Sequence, residues 1–164
     1  MRHTISVLVE NKFGVLARIS TLFAARGFNI DSLAVGETEN PAISSMTIVV
    51  KGDDRILEQI TKQLNKLIDV IKVNEFNDIE HVERGICLIR IGLNKSNRNE
   101  VMNMIEIFRS KIIDVSQSSV IVEVSGSEDK INDFVGKVVP YGIKEMCRTG
   151  VIALHRGQSV IEGK

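Results

Sequence analysis

The sequence of 164 residues is poor in the residue types on which disulfides and nucleic-acid sites depend. It has no tryptophan, one tyrosine and two cysteines. Two cysteines build no disulfide framework, so we expect a reducing, cytoplasmic environment. The few aromatic side chains leave little surface on which bases could stack, which argues against RNA binding.

An excess of charge of either sign is also missing. Lys+Arg and Asp+Glu each number 21, so the formal net charge is zero. Such a balance gives no electrostatic attraction to nucleic acid or to an anionic membrane surface. No apolar run approaches the ~18 residues of a membrane span. The first residues pass directly into a strand pattern, so we expect no targeting peptide.

Catalytic and metal-binding motifs are absent as well. The histidines and cysteines are far apart in sequence, with no HExxH, CxxC, GxSxG, Walker or GxGxxG pattern. We therefore predict no catalytic residue and no metal site. Cys87 lies in an apolar strand pattern and is predicted to be an inert core thiol. His155 is predicted to be a solvent-exposed tail residue. A small enzyme remains an alternative, but it would need a titratable cluster.

What the sequence does contain is one pattern of elements, present twice. In the first half, apolar periodicity predicts β-α-β-β-α-β. The predicted elements are strand 4–9, helix 15–26, strand 30–36, strand 44–50, a helix capped by Asp53 or Asp54, and strand 70–73. The second half repeats the order, with strand 85–91, a helix opened by an Asn97–Glu100 capping box, strands 112–115 and 120–124, a helix capped by Ser127, and a strand from Ile143.

This order predicts an α+β fold of two ferredoxin-like βαββαβ modules. We place the domains at residues 1–76 and 84–164, with a linker at 77–83. In this topology the third strand lies between the first and the second, which leaves strand 30–36 at the sheet edge. That strand has no Pro or Lys to protect it. We therefore predict that the same strand of a second copy covers it in a homodimer.

The loop after the first strand is the best candidate for a binding site. Gly14 stands where the strand turns into the helix, and glycine permits both a strained turn and the close approach of a ligand. The free N–H groups of residues 14–16 would attract a carboxylate. Asn11 adds a donor and an acceptor. From spacing alone, a plain turn and helix cap remains the simpler explanation.

Asn29, at the start of the edge strand, is by itself a turn residue. In a dimer paired through that strand, Asn29 would approach the helix start of the other copy. An amide would then face backbone N–H groups, which matches the two ends of an α-amino acid. Val15, Leu16 and Ile30 would line the side-chain part of the pocket, and this lining suits a branched aliphatic group.

The segment ENKFGVLARISTLFAARGFNIDSLAVGETENPAISSMTIVV resembles the ACT domain of the small regulatory subunits of acetolactate synthase, also called acetohydroxyacid synthase. It contains the NxxGVLxRIxxLFxxRGxNIxSL pattern of that family. The likeness continues at LEQITKQLNKLIDVIKV and resumes in the second module at HVERGICLIRI, EIFRSKIIDVSQSSVIVEVSG and RTGVIALHRG. It therefore covers nearly the whole chain.

The resemblance implies a non-catalytic chain that binds a large catalytic subunit carrying thiamine diphosphate, Mg²⁺ and FAD. That subunit condenses two pyruvates to 2-acetolactate, or pyruvate with 2-ketobutyrate to 2-aceto-2-hydroxybutyrate. The small subunit raises its activity and confers feedback inhibition, usually by valine bound at the ACT dimer interface. The matching positions are Asn11, Gly14 and the N–H groups after it, with Asn29 and Ile30 from the other copy.

One position departs from the ACT pattern. Many ACT domains have proline before the loop glycine, where it would fix φ at about −65°; this chain has Phe13. The choice among valine, leucine and isoleucine therefore stays open. We expect the second module to contribute to dimerisation and to contact with the catalytic subunit. An amino-acid-binding ACT protein that serves another enzyme or a transcriptional circuit remains an alternative.

Overall fold

The computed structural model describes residues 1–76 and 80–157 of the chain. The chain divides into two compact units. Unit 1 contains Met1–Val82 together with the described residues from Ile152 onward, and unit 2 contains Glu83–Val151. The predicted boundaries of 1–76, 77–83 and 84–164 differ from this division in the place of the last residues. Residues 77–79 of the predicted linker lie outside the described residues.

Unit 1 has the element order that the sequence predicts. Its elements are β1 (Arg2–Glu10), α1 (Val15–Ala25), β2 (Ile30–Glu37), β3 (Ile43–Lys51), α2 (Asp54–Leu64) and β4 (Val70–Glu75). The antiparallel sheet has the order β2-β3-β1-β4, so β2 lies at an edge, as predicted. Its covering by a second copy stays a prediction.

The core of unit 1 follows from two periodicities. Every second residue of β1 is buried on the inner face, and each helix buries a stripe at helical spacing. The fully or nearly buried residues include Ile5, Val7, Val9, Val15, Ile19, Phe23, Ile60 and Leu64. Burial of each large aliphatic or aromatic side chain contributes roughly 1.5–3 kcal/mol. This core fixes where α1 starts relative to the sheet.

The helix ends in unit 1 form as the sequence predicts. Asp53, rather than Asp54, caps α2, because its Oδ1 accepts a hydrogen bond of 2.9 Å from the Ile56 N–H. At the end of α1, Gly27 adopts the left-handed region with φ 70°. Its N–H donates to the carbonyl of Ala24 at 3.1 Å, which ends the helix.

Unit 2 repeats the topology. Its elements are β5 (His81–Gly92), whose first two residues belong to unit 1, then α3 (Arg98–Ile107), β6 (Lys111–Val115), β7 (Ser119–Gly126), α4 (Glu128–Val138) and β8 (Ile143–Arg148). The sheet order is β6-β7-β5-β8, which places β6 at the edge. Ser127 caps α4 as predicted, accepting from the Lys130 N–H at 3.3 Å. The prediction of two ferredoxin-like α+β modules is thus confirmed.

Among the described residues, every helix is too short or too polar to span a membrane.

The predicted capping box at α3 is wrong. Asn97 precedes the helix, but its backbone is already helical and its side chain caps no helical N–H. The Asn97 Oδ1 instead accepts from the Asn94 N–H at 2.8 Å, and its Nδ2 donates to the Gly92 carbonyl at 3.1 Å. Glu100 accepts a hydrogen bond from the hydroxyl of Tyr141, and this bond raises the pKa of Tyr141.

The prediction for His155 is wrong as well. The chain forms a further strand, β9 (Ile152–His155), in unit 1, and the following Arg156 N–H donates to the Glu80 carbonyl at 2.9 Å. The His155 ring packs 4.4 Å from the ring of buried Phe76. Its two ring nitrogens are buried without a hydrogen-bond partner among the described residues. His155 is therefore packed into unit 1 rather than exposed in a tail.

Candidate functional site

The β1–α1 loop is anchored to two neighbouring segments of unit 1. The Glu10 N–H donates to the Asp69 carbonyl at 2.9 Å, just before β4. The Asn11 N–H donates to the Ala42 carbonyl at 2.7 Å, just before β3. Backbone bonds on both sides hold the loop in one shape, so the start of α1 has a defined position.

Gly14 is required by the backbone and not by lack of space. Its φ of 82° lies in the left-handed region, which costs about 1–2 kcal/mol for residues other than glycine. A Cβ at this position would meet only one group, a terminal nitrogen of Arg18 at 3.9 Å. The glycine thus makes the turn and leaves open space in front of the helix.

The N-terminus of α1 is open. No side chain caps it, and its first turn contains no acidic residue. The Val15 N–H makes a long bond of 3.4 Å to the Lys12 carbonyl. The N–H groups of Gly14 and Leu16 have no acceptor among the described residues. Unbonded N–H groups at a helix start carry partial positive charge and favour an anion.

Arg18 places a guanidinium beside this helix start, and it is not among the site residues predicted from the sequence. Its Nη1 lies 3.2 Å from Oδ2 of Asp69, whose side chain is only 10% exposed. Its Nη2 lies on the Gly14 side. Side chains of a helix lean toward the N-terminus, and residues four apart share a face. The spacing of Gly14 and Arg18 was therefore the signal for this contact.

Asn11 lies beside the open helix start with its amide nitrogen already used. Nδ2 donates to Oε1 of Glu37 at 3.1 Å and to the Pro41 carbonyl at 2.9 Å. The two bonds tie the loop to the end of β2 and to the turn that follows it. The Asn11 Oδ1 accepts no hydrogen bond from the described residues, so an acceptor remains for a ligand.

Asn29 and Ile30 lie at the opposite end of α1 from Gly14. The helix has 11 residues, which corresponds to a length of about 16 Å. Asn29 is exposed, and its Nδ2 donates to Oδ1 of Asp31 at 2.9 Å. Within one copy, the structure brings Asn11 and Gly14 together but not Asn29 and Ile30. A second copy at the β2 edge would be needed to combine the two halves.

The apolar residues predicted to line the site differ in exposure. Val15 is 3% exposed and belongs to the core, so its side chain is not available to a ligand. Leu16 is 44% exposed, and Phe13 is fully exposed. Ile30 is half-buried against the core of unit 1. The side chains that reach solvent at the helix start are therefore those of Phe13 and Leu16.

Both cysteines lie in unit 2, outside this loop. Burial raises the pKa of the Cys87 thiol, which suits the predicted inert core thiol, whereas Cys147 is exposed. Among residues 1–76 and 80–157, no three His, Cys, Asp or Glu side chains are grouped so as to hold a metal ion. The chemistry of the loop is that of hydrogen bonding and charge.

Two protein-family profiles match the chain. The family described as the AHAS small subunit-like ACT domain matches residues 5–72. The family described as the small subunit of acetolactate synthase matches residues 84–157. Together they span both units of the structure.

Full-length relatives agree with these profiles. The chain is 55% identical to the probable acetolactate synthase small subunit of Archaeoglobus fulgidus, over 96% of this chain and 98% of the relative. It is 50% identical to the acetolactate synthase small subunit of Aquifex aeolicus, over 98% and 84%. The crystal structure of the small subunit from Thermotoga maritima superposes with a TM-score of 0.90 at 42% identity, covering 96% of this chain and 98% of that one.

Proposed function

The chain belongs to the family of acetolactate synthase small subunits, and from that premise we propose that it confers feedback inhibition by a branched-chain amino acid, most simply valine. As a small subunit it is the regulatory, non-catalytic partner of the catalytic subunit. The proposal adds the effector, its site and the homodimer that completes the site.

The open start of α1 is the observation that carries the proposal. A carboxylate placed there would accept hydrogen bonds from the Gly14 and Leu16 N–H groups. The helix dipole contributes about 0.3–1 kcal/mol, and charge-assisted hydrogen bonds add to it. Arg18 places a guanidinium beside the loop, where it is paired with Asp69 at 3.2 Å. An anionic group is therefore the ligand end that this loop suits.

The ammonium end of an amino acid needs acceptors. The Asn11 Oδ1 is available, because the described bonds of this side chain all use Nδ2. Asn29 of a second copy would supply another amide oxygen if the β2 edges of two copies pair. The site would then contain residues from both copies, so the homodimer is part of the proposal.

The side chain of the effector would meet Leu16, Ile30 and Phe13. These groups favour an apolar, branched side chain over a charged or polar one. Phe13 is fully exposed and stands beside Gly14, so its ring would narrow the pocket. This narrowing favours valine over the longer leucine and isoleucine.

Inhibition requires that the effector bind the less active arrangement of the complex better. The coupling between such sites is typically about 1–3 kcal/mol. By reciprocity, the active arrangement of the catalytic subunit weakens effector binding. In the proposed complex, which we place in the cytoplasm, thiamine diphosphate, Mg²⁺ and FAD reside on the catalytic subunit and supply the chemistry that makes 2-acetolactate.

Ligands that lack one end of valine test the site directly. Isobutylamine lacks the carboxylate, and 3-methylbutanoate lacks the ammonium group. We expect calorimetric titration of the small subunit to show saturable valine binding, with both analogues at least about tenfold weaker, which corresponds to 1.4 kcal/mol. If isobutylamine binds as tightly as valine, the start of α1 does not bind the carboxylate of the effector.

Mixed dimers test whether two copies share the site. A dimer of one Gly14→Asp chain and one Asn29→Ala chain has one site with both changes and one intact site. We therefore expect a refolded mixture of the two variants to regain a site with wild-type affinity for valine, which neither variant shows alone. No recovery, with mixed dimers shown to form, would mean that Gly14 and Asn29 do not act together across an interface.

A further inference from the structure

An open groove lies between α1 and α2 of unit 1, on the helical face of the unit. Its volume is about 450 Å³. The floor contains Leu22 and Leu67, together with the short side chains of Ala17 and Ala25. Along α1 the distance from Ala17 to Ala25 is about 12 Å, which corresponds to roughly two turns of an α-helix. The groove is therefore long enough to accept a short helical or extended segment.

The rim of the groove is positively charged. Arg18, Arg26 and Lys66 line it, and no acidic residue does. Arg26 donates to the neutral Gln63 at 2.7 Å, and neither Arg26 nor Lys66 forms an ion pair with any described residue. Only Arg18 has a carboxylate partner, Asp69. In a chain with zero net charge, this rim is a local excess of unneutralised positive charge.

We propose that this groove docks an acidic segment of the catalytic subunit. The family assigns that subunit as the partner of the chain, and the charge of the rim selects the chemistry of the segment. Small apolar side chains of the segment would cover Leu22 and Leu67, while its carboxylates would pair with Arg26 and Lys66. Complementary charge of this kind speeds association and fixes the position of the segment along the groove. The docking surface does not depend on the effector proposal.

Lys66 and Arg26 are the residues to test, because Arg18 also lies beside the candidate effector site. Lys66 follows α2 and is exposed, and no described contact is lost when it is changed. Lys66→Glu and the double variant Arg26→Gln/Lys66→Glu reduce the charge of the rim stepwise. Arg55→Glu is the matched control, because Arg55 is exposed on α2 and does not line the groove.

The measured quantity is the small-subunit concentration that gives half-maximal stimulation of acetolactate production by the catalytic subunit. We expect Lys66→Glu to raise it about fivefold and the double variant at least about twentyfold, with Arg55→Glu within about twofold of wild type. The differences should shrink at high salt, because salt screens charges at an exposed rim. Urea unfolding of each variant checks that it is folded, and the Lys66→Glu result stands alone if the double variant is not.

Two results would overturn the docking surface. One is that both groove variants stimulate at the same concentration as Arg55→Glu. The other is that the groove variants lower the sedimentation mass of the small subunit alone, which would assign the groove to contact between copies of this chain.

Discussion

The two units share one topology and differ at the start of their first helix. Neither α1 nor α3 has a side-chain cap, but the residues before the two helices differ. In unit 1, the Gly14 N–H before α1 has no acceptor among the described residues, and the first turn of α1 contains no acidic residue. In unit 2, the Asn97 N–H before α3 donates to Oδ1 of Asn94 at 2.9 Å, and the first turn of α3 contains Glu100. A bonded N–H and a nearby carboxylate do not favour a second carboxylate. The residues of one loop therefore distinguish the candidate binding site, and the fold alone does not.

The edge strands of the two units, β2 and β6, also differ in exposure. β2 of unit 1 is partly buried, and Asp31 on it pairs with Lys51 of β3 at 2.9 Å. All five residues of β6 in unit 2 are exposed, and Lys111 lies 3.9 Å from Glu123 of β7. Equivalent positions in one topology thus present different surfaces, and we assign the effector role to unit 1.

The largest effect is expected from a substitution that closes the open start of α1. Gly14→Asp puts a residue other than glycine at φ 82° and a negative charge in front of α1. We expect the valine concentration for half-inhibition to rise on the order of 100-fold, or inhibition to disappear. Gly142→Asp is the matched control, since Gly142 has φ 89° and open space around it. Wild-type inhibition of the Gly14 variant would refute the site.

A smaller effect is expected from Asn29→Ala, which removes the amide that the second copy would supply. Asn29→Ala should raise the half-inhibiting valine concentration about tenfold, or 1.4 kcal/mol, while stimulation is unchanged. Asn65→Ala provides the control, because it makes the same change at an exposed position at the end of the other helix of unit 1. Equal responses of the two variants in the inhibition assay would exclude Asn29 from the site.

The Asn94 hydrogen bonds before α3 of unit 2 are predicted to serve stability alone. Asn94→Ala removes the acceptor for two N–H groups, which should cost about 1 kcal/mol in the free energy of urea unfolding. Valine inhibition should stay within about twofold of wild type. A large change in the valine response would mean that unit 2 also takes part in effector binding. It would contradict the assignment of the effector site to unit 1.

The smallest effect concerns the ion pair at the edge of unit 1. The Lys51 ammonium, and then the Asn29 amide, lower the pKa of Asp31. A lowered folded-state pKa stabilises the fold above the unfolded value of about 3.9 and is lost as pH falls through the folded value. The small difference in urea midpoint between wild type and Asp31→Asn should therefore be present at pH 6 and shrink as the pH falls below about 3.9. A difference independent of pH would contradict this.

Most of the fold could be predicted because apolar residues recur with the period of each element. Every predicted strand and helix is present, with ends shifted by a few residues, and β2 is at the edge as expected. The cap at α3 could not be predicted. The bonds of Asn94 and Asn97 depend on the backbone path of the loop, and the sequence offered several equivalent side chains there.

Contacts between distant segments also escaped prediction. Arg18 pairs with Asp69, which lies 51 positions later, and no local sequence pattern predicts such a pair. His155 packs on Phe76 because the four-residue strand β9 belongs to unit 1. A strand that short has too few alternating apolar and polar residues to predict which strand it pairs with. The candidate loop was identifiable because Gly14 and Asn11 are local, whereas the pairing of Arg18 with Asp69 was not.

We propose that this chain makes acetolactate synthase responsive to valine. The direct test is acetolactate production by the cognate catalytic subunit, with and without this chain, over a valine titration. We expect that the chain stimulates production and that valine reverses the stimulation. Stimulation that neither valine, leucine nor isoleucine reverses would contradict the effector site, and no stimulation would contradict the regulatory role itself.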